Sequence, residues 1–185
     1  MSPQIMIGYL HSFMFSLKIT LLSLALFSTA LTAQSGEEAI PTVDGYVYID
    51  SAKTKKAYEE WHYSPARSSG DLVFFSGVIA GAPAVGDTPE LFKKNLRRAF
   101  GNLNTLLKQA GLGPEHVVKM NSYHLFRSPL FKGTKEEHIA AVMAVKDEFF
   151  KAPYPAWTAV GAAELFADRG LVEIEIIARK PAAKP

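Results

Sequence analysis

Two carboxylates near the C-terminus are the side chains of this sequence best suited to chemistry. Glu173 and Glu175 lie in a run whose alternate positions are apolar, namely Val172, Ile174, Ile176 and Ala178. This period of two predicts a strand with one apolar face and both carboxylates on the opposite face. A carboxylate on that face is either solvated or lines a cleft. Burial in a cleft would raise its pKa and suit it to general acid–base catalysis. The residues alone favour solvation for both.

The histidines and the absence of cysteine limit the other kinds of site. His124 falls in a predicted strand over residues 117–126 and could act as an acid or base, although a packed strand residue is the favoured interpretation. The five histidines show no ligand spacing of the His-Glu-x-x-His type, and there is no cysteine. We therefore expect no metal site, no disulfide and no thiol nucleophile.

A cluster of four cations lies on the first predicted helix, at Lys93, Lys94, Arg97 and Arg98. It could bind an anion or RNA, but a solvated outer helix face is the favoured interpretation. The formal net charge is only +2, whereas nucleic-acid-binding domains usually carry a concentrated basic face. We therefore expect no nucleic-acid partner.

Two helices and several strands must position these groups. The first helix is predicted from Thr88-Pro89 to Gly111, with a cap at its start and glycine at its end. The second begins at the capping box of Thr134 and Glu137, and its predicted core face comprises Ile139, Val142, Met143, Phe149 and Phe150. Strands are expected at 45–49 (a possible edge strand), 71–80 and 117–126, and as a pair within 153–180 whose second member covers about 172–180. Gly77 interrupts the second of these and suggests a bulge or a close approach by a neighbour or ligand.

This order predicts an α+β fold in which two helices cover one face of a mixed sheet. The other face carries aromatic and apolar residues among the acids, so we expect oligomerisation to cover it.

The chain length of 185 residues predicts one domain preceded by a targeting segment. Residues 1–33 carry one formal charge, Lys18, then an apolar run and small residues at Ala30 and Ala33. This pattern is typical of a secretory signal peptide, and the run is shorter than the roughly 20 residues of a membrane-spanning helix. We expect cleavage and a periplasmic or secreted protein with no membrane attachment, with translation starting at Met1 or Met14. Residues 34–62 are expected to be an N-terminal lead-in with the possible edge strand, and 181–185 a tail. Within the lead-in, 34–42 is expected to be flexible, and the charged stretch 53–60 has no predicted structure.

Several short strings, combined with the order of elements, resemble the Rid family, also called the YjgF family. They are Tyr63-Ser64 followed thirteen residues after Tyr63 by Ser76-Gly77, then Gln109-Ala-Gly-Leu112, Val117-Val-Lys119, Glu148-Phe-Phe150, Pro155-Ala156 and Val172-Glu-Ile-Glu-Ile176. The resemblance covers residues 63–180. It implies a chorismate-mutase-like fold, a homotrimer with small-molecule clefts between subunits, no metal or organic cofactor, and hydrolytic deamination of enamines and imines.

The resemblance also implies which residues form the site. It assigns Glu173 the activation or positioning of the hydrolytic water, and Tyr63 stacking or hydrogen bonding to the substrate. Met143 aligns with a cleft-lining Asn of the family, and Thr158 and Gly77 fall in its cleft motifs. In deaminating members an Arg that grips the substrate carboxylate follows Pro-Ala, but here that residue is Trp157.

Trp157 lacks the charge and the bidentate fork of an arginine, so a shifted substrate preference is expected. Catalysis could also be lost, which would leave a non-catalytic, exported trimer that binds a small molecule or a protein partner. Packing in the core or at a subunit contact is an equally weighted interpretation of Trp157.

Overall fold

The structure is a computed structural model that describes residues 37–81 and 86–182. Its helices are α1 (Ala52–Trp61), α2 (Pro89–Gln109) and α3 (Lys135–Phe149), with a 3₁₀ turn at Pro114–His116. Its strands are β1 (Glu38–Pro41), β2 (Tyr46–Ile49), β3 (Ala66–Ser69), β4 (Leu72–Gly81), β5 (Val117–His124), β6 (Ala156–Gly161) and β7 (Gly170–Arg179).

The seven strands form one mixed sheet in the order β1-β2-β3-β4-β7-β5-β6. Strands β5 and β6 are parallel, and every other neighbouring pair is antiparallel. Strand β7 therefore lies at the centre of the sheet, between β4 and β5. The predicted α+β fold with a mixed sheet is confirmed.

Helices α2 and α3 cover one face of this sheet. Strand β7 contributes its alternate apolar side chains to the core, and α2 contributes Phe92, Leu96, Phe100 and Leu103. The predicted caps are present, since Thr88 accepts a hydrogen bond from Leu91 N–H and Thr134 forms a capping box with Glu137. The face of the sheet that α2 and α3 leave uncovered is called the open face below.

The N-terminal part of the sheet differs from the prediction. Residues 38–41 were expected in a flexible lead-in but form β1, which pairs with β2 along its whole length and takes the edge position from it. Helix α1 is a third helix, within a charged stretch without a predicted structure. It begins at Ser51, whose side chain and that of Thr54 cap each other's backbone N–H groups, but it buries none of its residues. Because α1 buries no side chain, its sequence carries no apolar stripe, and the periodicity of apolar residues does not predict this helix.

The core face of α3 agrees only in part with the prediction: Val142, Phe149 and Phe150 pack in the core as predicted, but Met143 does not. The buried side chains are His138, Ala141, Val142 and Val145, whereas Met143 is 44% exposed. The prediction that Met143 is a core residue is wrong, because His138 occupies the core position of the first turn.

No helix within residues 37–81 and 86–182 is long and apolar enough to span a membrane. The predicted signal peptide, residues 1–33, lies outside the described residues, as does the end of the predicted tail.

Candidate active site on the open face of the sheet

The two carboxylates of β7 have different surroundings, although both point to the open face as predicted. Glu175 accepts hydrogen bonds from Asn121 Nδ2 at 2.7 Å and from the hydroxyl of Tyr123 at 3.2 Å. The charge of Glu175 raises the pKa of Tyr123, so that hydroxyl keeps its proton and remains a donor. Glu175 is therefore a satisfied, structural carboxylate.

Glu173 is half-buried, and no hydrogen bond to its carboxylate is found within the described part of the chain. Burial raises its pKa above the ordinary value, and repulsion from Glu175 adds to the shift. A carboxyl group with a raised pKa and unused lone pairs is better suited than an ordinary carboxylate to take up and return a proton. Of the two acids, Glu173 is the one suited to catalysis.

Gly77 lies directly beneath the Glu173 side chain. A Cβ atom at position 77 would fall on the Glu173 carboxylate oxygen Oε1. The register of β4 against β7 shifts between Phe75 and Val78, so Gly77 lies in a β-bulge. The predicted bulge is confirmed, and the close approach it serves is that of the Glu173 carboxylate.

The Tyr63 segment lies beside the same bulge. Ser76 donates its hydroxyl to the Ser64 carbonyl at 2.7 Å and its backbone N–H to the Pro65 carbonyl at 2.9 Å. The Tyr63 side chain is 47% exposed and makes no hydrogen bond to Glu173 within the described residues. The fold thus brings the backbone at Tyr63 towards the site and leaves its ring accessible.

Thr158 shares the open face with the carboxylates. It pairs with Asn121 across the parallel β5–β6 ladder, and its hydroxyl accepts a hydrogen bond from Lys119 Nζ at 2.7 Å. One strand, β5, therefore separates Thr158 from Glu175, and two strands, β5 and β7, separate it from the bulge at Gly77.

Trp157 and Met143 lie on the helix side of the sheet and not with Glu173. The Trp157 ring packs against the core, and its Nε1 donates to the Ser122 hydroxyl at 2.8 Å. Lys146 of α3 lies 5.6 Å from the centre of the indole ring. One chain therefore does not bring Trp157 or Met143 together with Glu173, so their predicted substrate-binding roles require a neighbouring subunit.

A buried polar chain continues inward from Trp157. Ser122 contacts His124 Nε2 at 2.8 Å, and His124 Nδ1 faces His138 Nε2 at 3.2 Å. Both rings are fully buried, and burial lowers the pKa of each to about 4. Sequence reasoning placed His124 on a strand but missed its partner, because His138 is far along the chain and only the packing of α3 on β5 joins them.

Similarity to known proteins shows which family this chain belongs to. The family model described as "Endoribonuclease L-PSP", which represents the YjgF/RidA proteins, matches residues 54–180. The chain belongs to the Rid (YjgF) family. It is 38% identical over 125 residues to the RutC family protein YjgH of Escherichia coli (strain K12), covering 67% of this chain and 87% of that protein.

Two further relatives bear on fold and activity. A solved structure named "Protein YJGH" superposes with a TM-score of 0.53 at 35% identity, covering 68% of this chain and 89% of that one, which confirms the Rid fold. A protein of Dermatophagoides farinae named "2-iminobutanoate/2-iminopropanoate deaminase" is 29% identical over 116 residues, covering 62% of this chain and 83% of that one.

Two cations of the α2 cluster are already paired in this Rid family member. Lys93 pairs with Glu90 at 2.9 Å, and Arg97 pairs with Glu148 of α3 at 2.6 Å. These pairs favour a solvated helix face over an RNA-binding patch. Within the described residues no group of three His, Asp or Glu side chains could hold a metal ion.

Replacing Trp157 by Phe is expected to lower the free energy of unfolding by about 1–3 kcal/mol, because buried Ser122 loses its indole donor and the core loses volume. Urea unfolding measures this change. Trp61 is 62% exposed, and Trp61→Phe is the matched control, expected to change stability by less than about 0.5 kcal/mol. Equal effects of the two variants would contradict a structural role for Trp157.

Proposed function

We propose that this chain hydrolyses reactive imines and enamines to carbonyl compounds and ammonia. The observation that carries the proposal is Glu173, a half-buried carboxyl group above Gly77 with no hydrogen bond from the described residues and a raised pKa. In the proposed reaction Glu173 accepts a proton from water as the water oxygen bonds to the imine carbon. Glu173 returns this proton to the nitrogen, which gives a carbinolamine. A second proton then moves from the carbinol hydroxyl to the nitrogen, and the carbon–nitrogen bond breaks as the carbonyl forms and ammonia leaves.

Substrate choice is proposed to differ from that of the 2-imino acid deaminases. Trp157 stands where the resemblance implies a carboxylate-binding Arg, and its only donor is bonded to Ser122. Loss of one partner from a buried charge pair costs about 2–5 kcal/mol, or tens- to thousands-fold in rate. Substrates that depend on a bound carboxylate would therefore be poor ones.

We also propose a homotrimer with its clefts between subunits. The open face exposes Phe74 (44%) and Val160 (45%), which a neighbouring subunit would cover. We propose that such an interface brings Trp157 and Met143 of one subunit towards Glu173 and Tyr63 of the next. Light scattering of the purified protein gives the mass that tests the trimer.

We propose that the protein is exported, because residues 1–33 have the pattern of a signal peptide. Cell fractionation and the mass of the purified N-terminus test it. Full-length protein in the cytoplasm would contradict export.

The second candidate is a non-catalytic, exported trimer that binds a small molecule or a protein partner. The observation that favours it is the commitment of Trp157 to Ser122 in place of a substrate-binding Arg.

Ammonia release separates the two candidates. The panel combines 2-imino acids, generated in situ from amino acids by an L-amino-acid oxidase, with imines that lack a carboxylate, generated in situ from primary amines by a flavin amine oxidase. Ammonia release is followed with and without the protein. The enzyme proposal expects release faster than spontaneous hydrolysis for at least one imine. Equal rates across the panel would favour the binding protein.

A further inference from the structure

Two exposed aromatic residues from distant parts of the chain meet at one place on the surface. Trp61, the last residue of α1, is 62% exposed, and Phe166, in the loop between β6 and β7, is 83% exposed. Their ring centres lie 5.9 Å apart with an interplanar angle of 87°, an edge-to-face contact. A single exposed aromatic residue is ordinary, but an exposed pair held in mutual contact provides a preformed surface for a planar apolar group.

The loop that carries Phe166 lies next to Ile79, the residue paired with Glu173 across the β4–β7 ladder. Its Leu165 Cδ1 lies 2.8 Å, and Ile79 Cγ2 3.1 Å, from the place that a Cβ on Gly170 would occupy. Ile79 is the register partner of Glu173 across the β4–β7 ladder. The loop therefore packs beside the residue that neighbours the catalytic carboxylate.

The segment that follows Trp61 also approaches the bulge beneath Glu173. Three residues after Trp61, the Ser64 carbonyl accepts the hydrogen bond from Ser76, and Gly77 then lies under Glu173. The contact between Trp61 and Phe166 thus joins two segments that both lie close to residues adjoining the carboxylate.

We propose that Trp61 and Phe166 form a wall of the Glu173 site and select imines that carry a planar apolar side chain. The inference rests on the proposed deaminase function and names its substrate class. An aromatic wall binds a ring through apolar contact and edge-to-face packing. It supplies affinity from the side-chain end of a substrate whose carboxylate lacks an Arg partner.

The kinetic test compares two imines, generated from L-phenylalanine and from L-alanine by an L-amino-acid oxidase. Wild-type protein is expected to favour the phenylalanine-derived imine in kcat/KM. The double variant Trp61→Ala/Phe166→Ala is expected to lose about tenfold or more on that imine and to stay within about twofold on the smaller one. Tyr46→Ala, which truncates another exposed aromatic residue, is the matched control and should leave the ratio unchanged.

A binding test separates failure of the wall from failure of the enzyme proposal. In the Trp157→Phe variant Trp61 is the only tryptophan, so its fluorescence reports on the wall. Saturable quenching by 3-phenylpropanoate, at least about tenfold tighter than by propanoate, is expected even if no imine is hydrolysed. Equal quenching by the two acids, an equal loss of rate on both imines, or loss of oligomeric mass in the double variant would overturn the proposal.

Discussion

Replacing Glu173 by Gln is expected to lower kcat/KM for imine hydrolysis by about 10²–10⁴-fold, the usual contribution of a general acid–base group. The amide retains the size of the side chain but cannot accept the proton of the attacking water. Because Gly77 leaves room for the side chain, the variant is expected to fold with almost unchanged stability. Ammonia release on the best imine of the panel measures the loss.

Glu175→Gln is the matched control, since the residue is two positions away on the same face of the same strand. Its carboxylate is held by Asn121 and Tyr123, so the change should act on stability more than on kcat. Removing its charge also lowers the pKa of Glu173, and the acid limb of the pH–rate profile should move to lower pH. Equal losses of kcat/KM in both variants would contradict the assignment of Glu173.

A second variant tests the same geometry without touching an ionisable group. Gly77→Ala places a methyl group where the Glu173 carboxylate now lies, so the carboxylate must move. If Glu173 acts from its present position, activity should fall although every polar side chain is retained.

Local patterns were enough to predict most of the layers of this fold. The alternation in β7, the caps at Thr88 and Thr134 and the glycine of the bulge each depend on neighbours in sequence, so one chain segment reveals them. Helix α1 and strand β1 could not be predicted in this way. The helix has no buried stripe, and the strand owes its structure to pairing with β2.

The site was predictable only in part, for the same reason. The open-face placement of Glu173 follows from the strand period, and the bulge at Gly77 follows from a glycine inside a strand. The contact between the two depends on the β4–β7 register. The satisfaction of Glu175 by Asn121 depends on the β5–β7 register, and the Trp61–Phe166 contact depends on two loops meeting in space. Such long-range contacts leave no spacing in the sequence.

The buried pair of His124 and His138 predicts a loss of stability in acid. Both rings have a folded pKa of about 4, below the ordinary value of about 6.5, so the unfolded chain binds more protons between these pH values. The free energy of unfolding should therefore fall as pH drops from about 6.5 to 4. The loss is about 3 kcal/mol for each ring, a large share of the roughly 5–15 kcal/mol of a typical domain. Urea unfolding at a series of pH values measures it.

The geometry explains why the protonated pair is not tolerated. If both rings were charged, both facing nitrogens would carry hydrogen and the 3.2 Å contact between them would be lost. His138 Nδ1 is buried without a partner among the described residues, and the ring of Phe92 lies 4.6 Å from that of His138, so the added charge would be poorly solvated. Asp87 and Glu173, whose pKa values burial raises, act in the opposite direction and reduce the net loss.

Two variants isolate the contribution of the pair from general acid unfolding. His138→Gln removes one titrating ring and should flatten the dependence of unfolding free energy on pH by up to about 1.4 kcal/mol per pH unit. His62→Asn is the control, because His62 is exposed and its left-handed backbone, with φ of 55°, suits Asn. An unchanged slope in His138→Gln would show that the buried ring is already charged or hydrated in the folded protein. The polar chain from Trp157 inward would then not be the neutral, dry network that the packing of α3 on β5 implies.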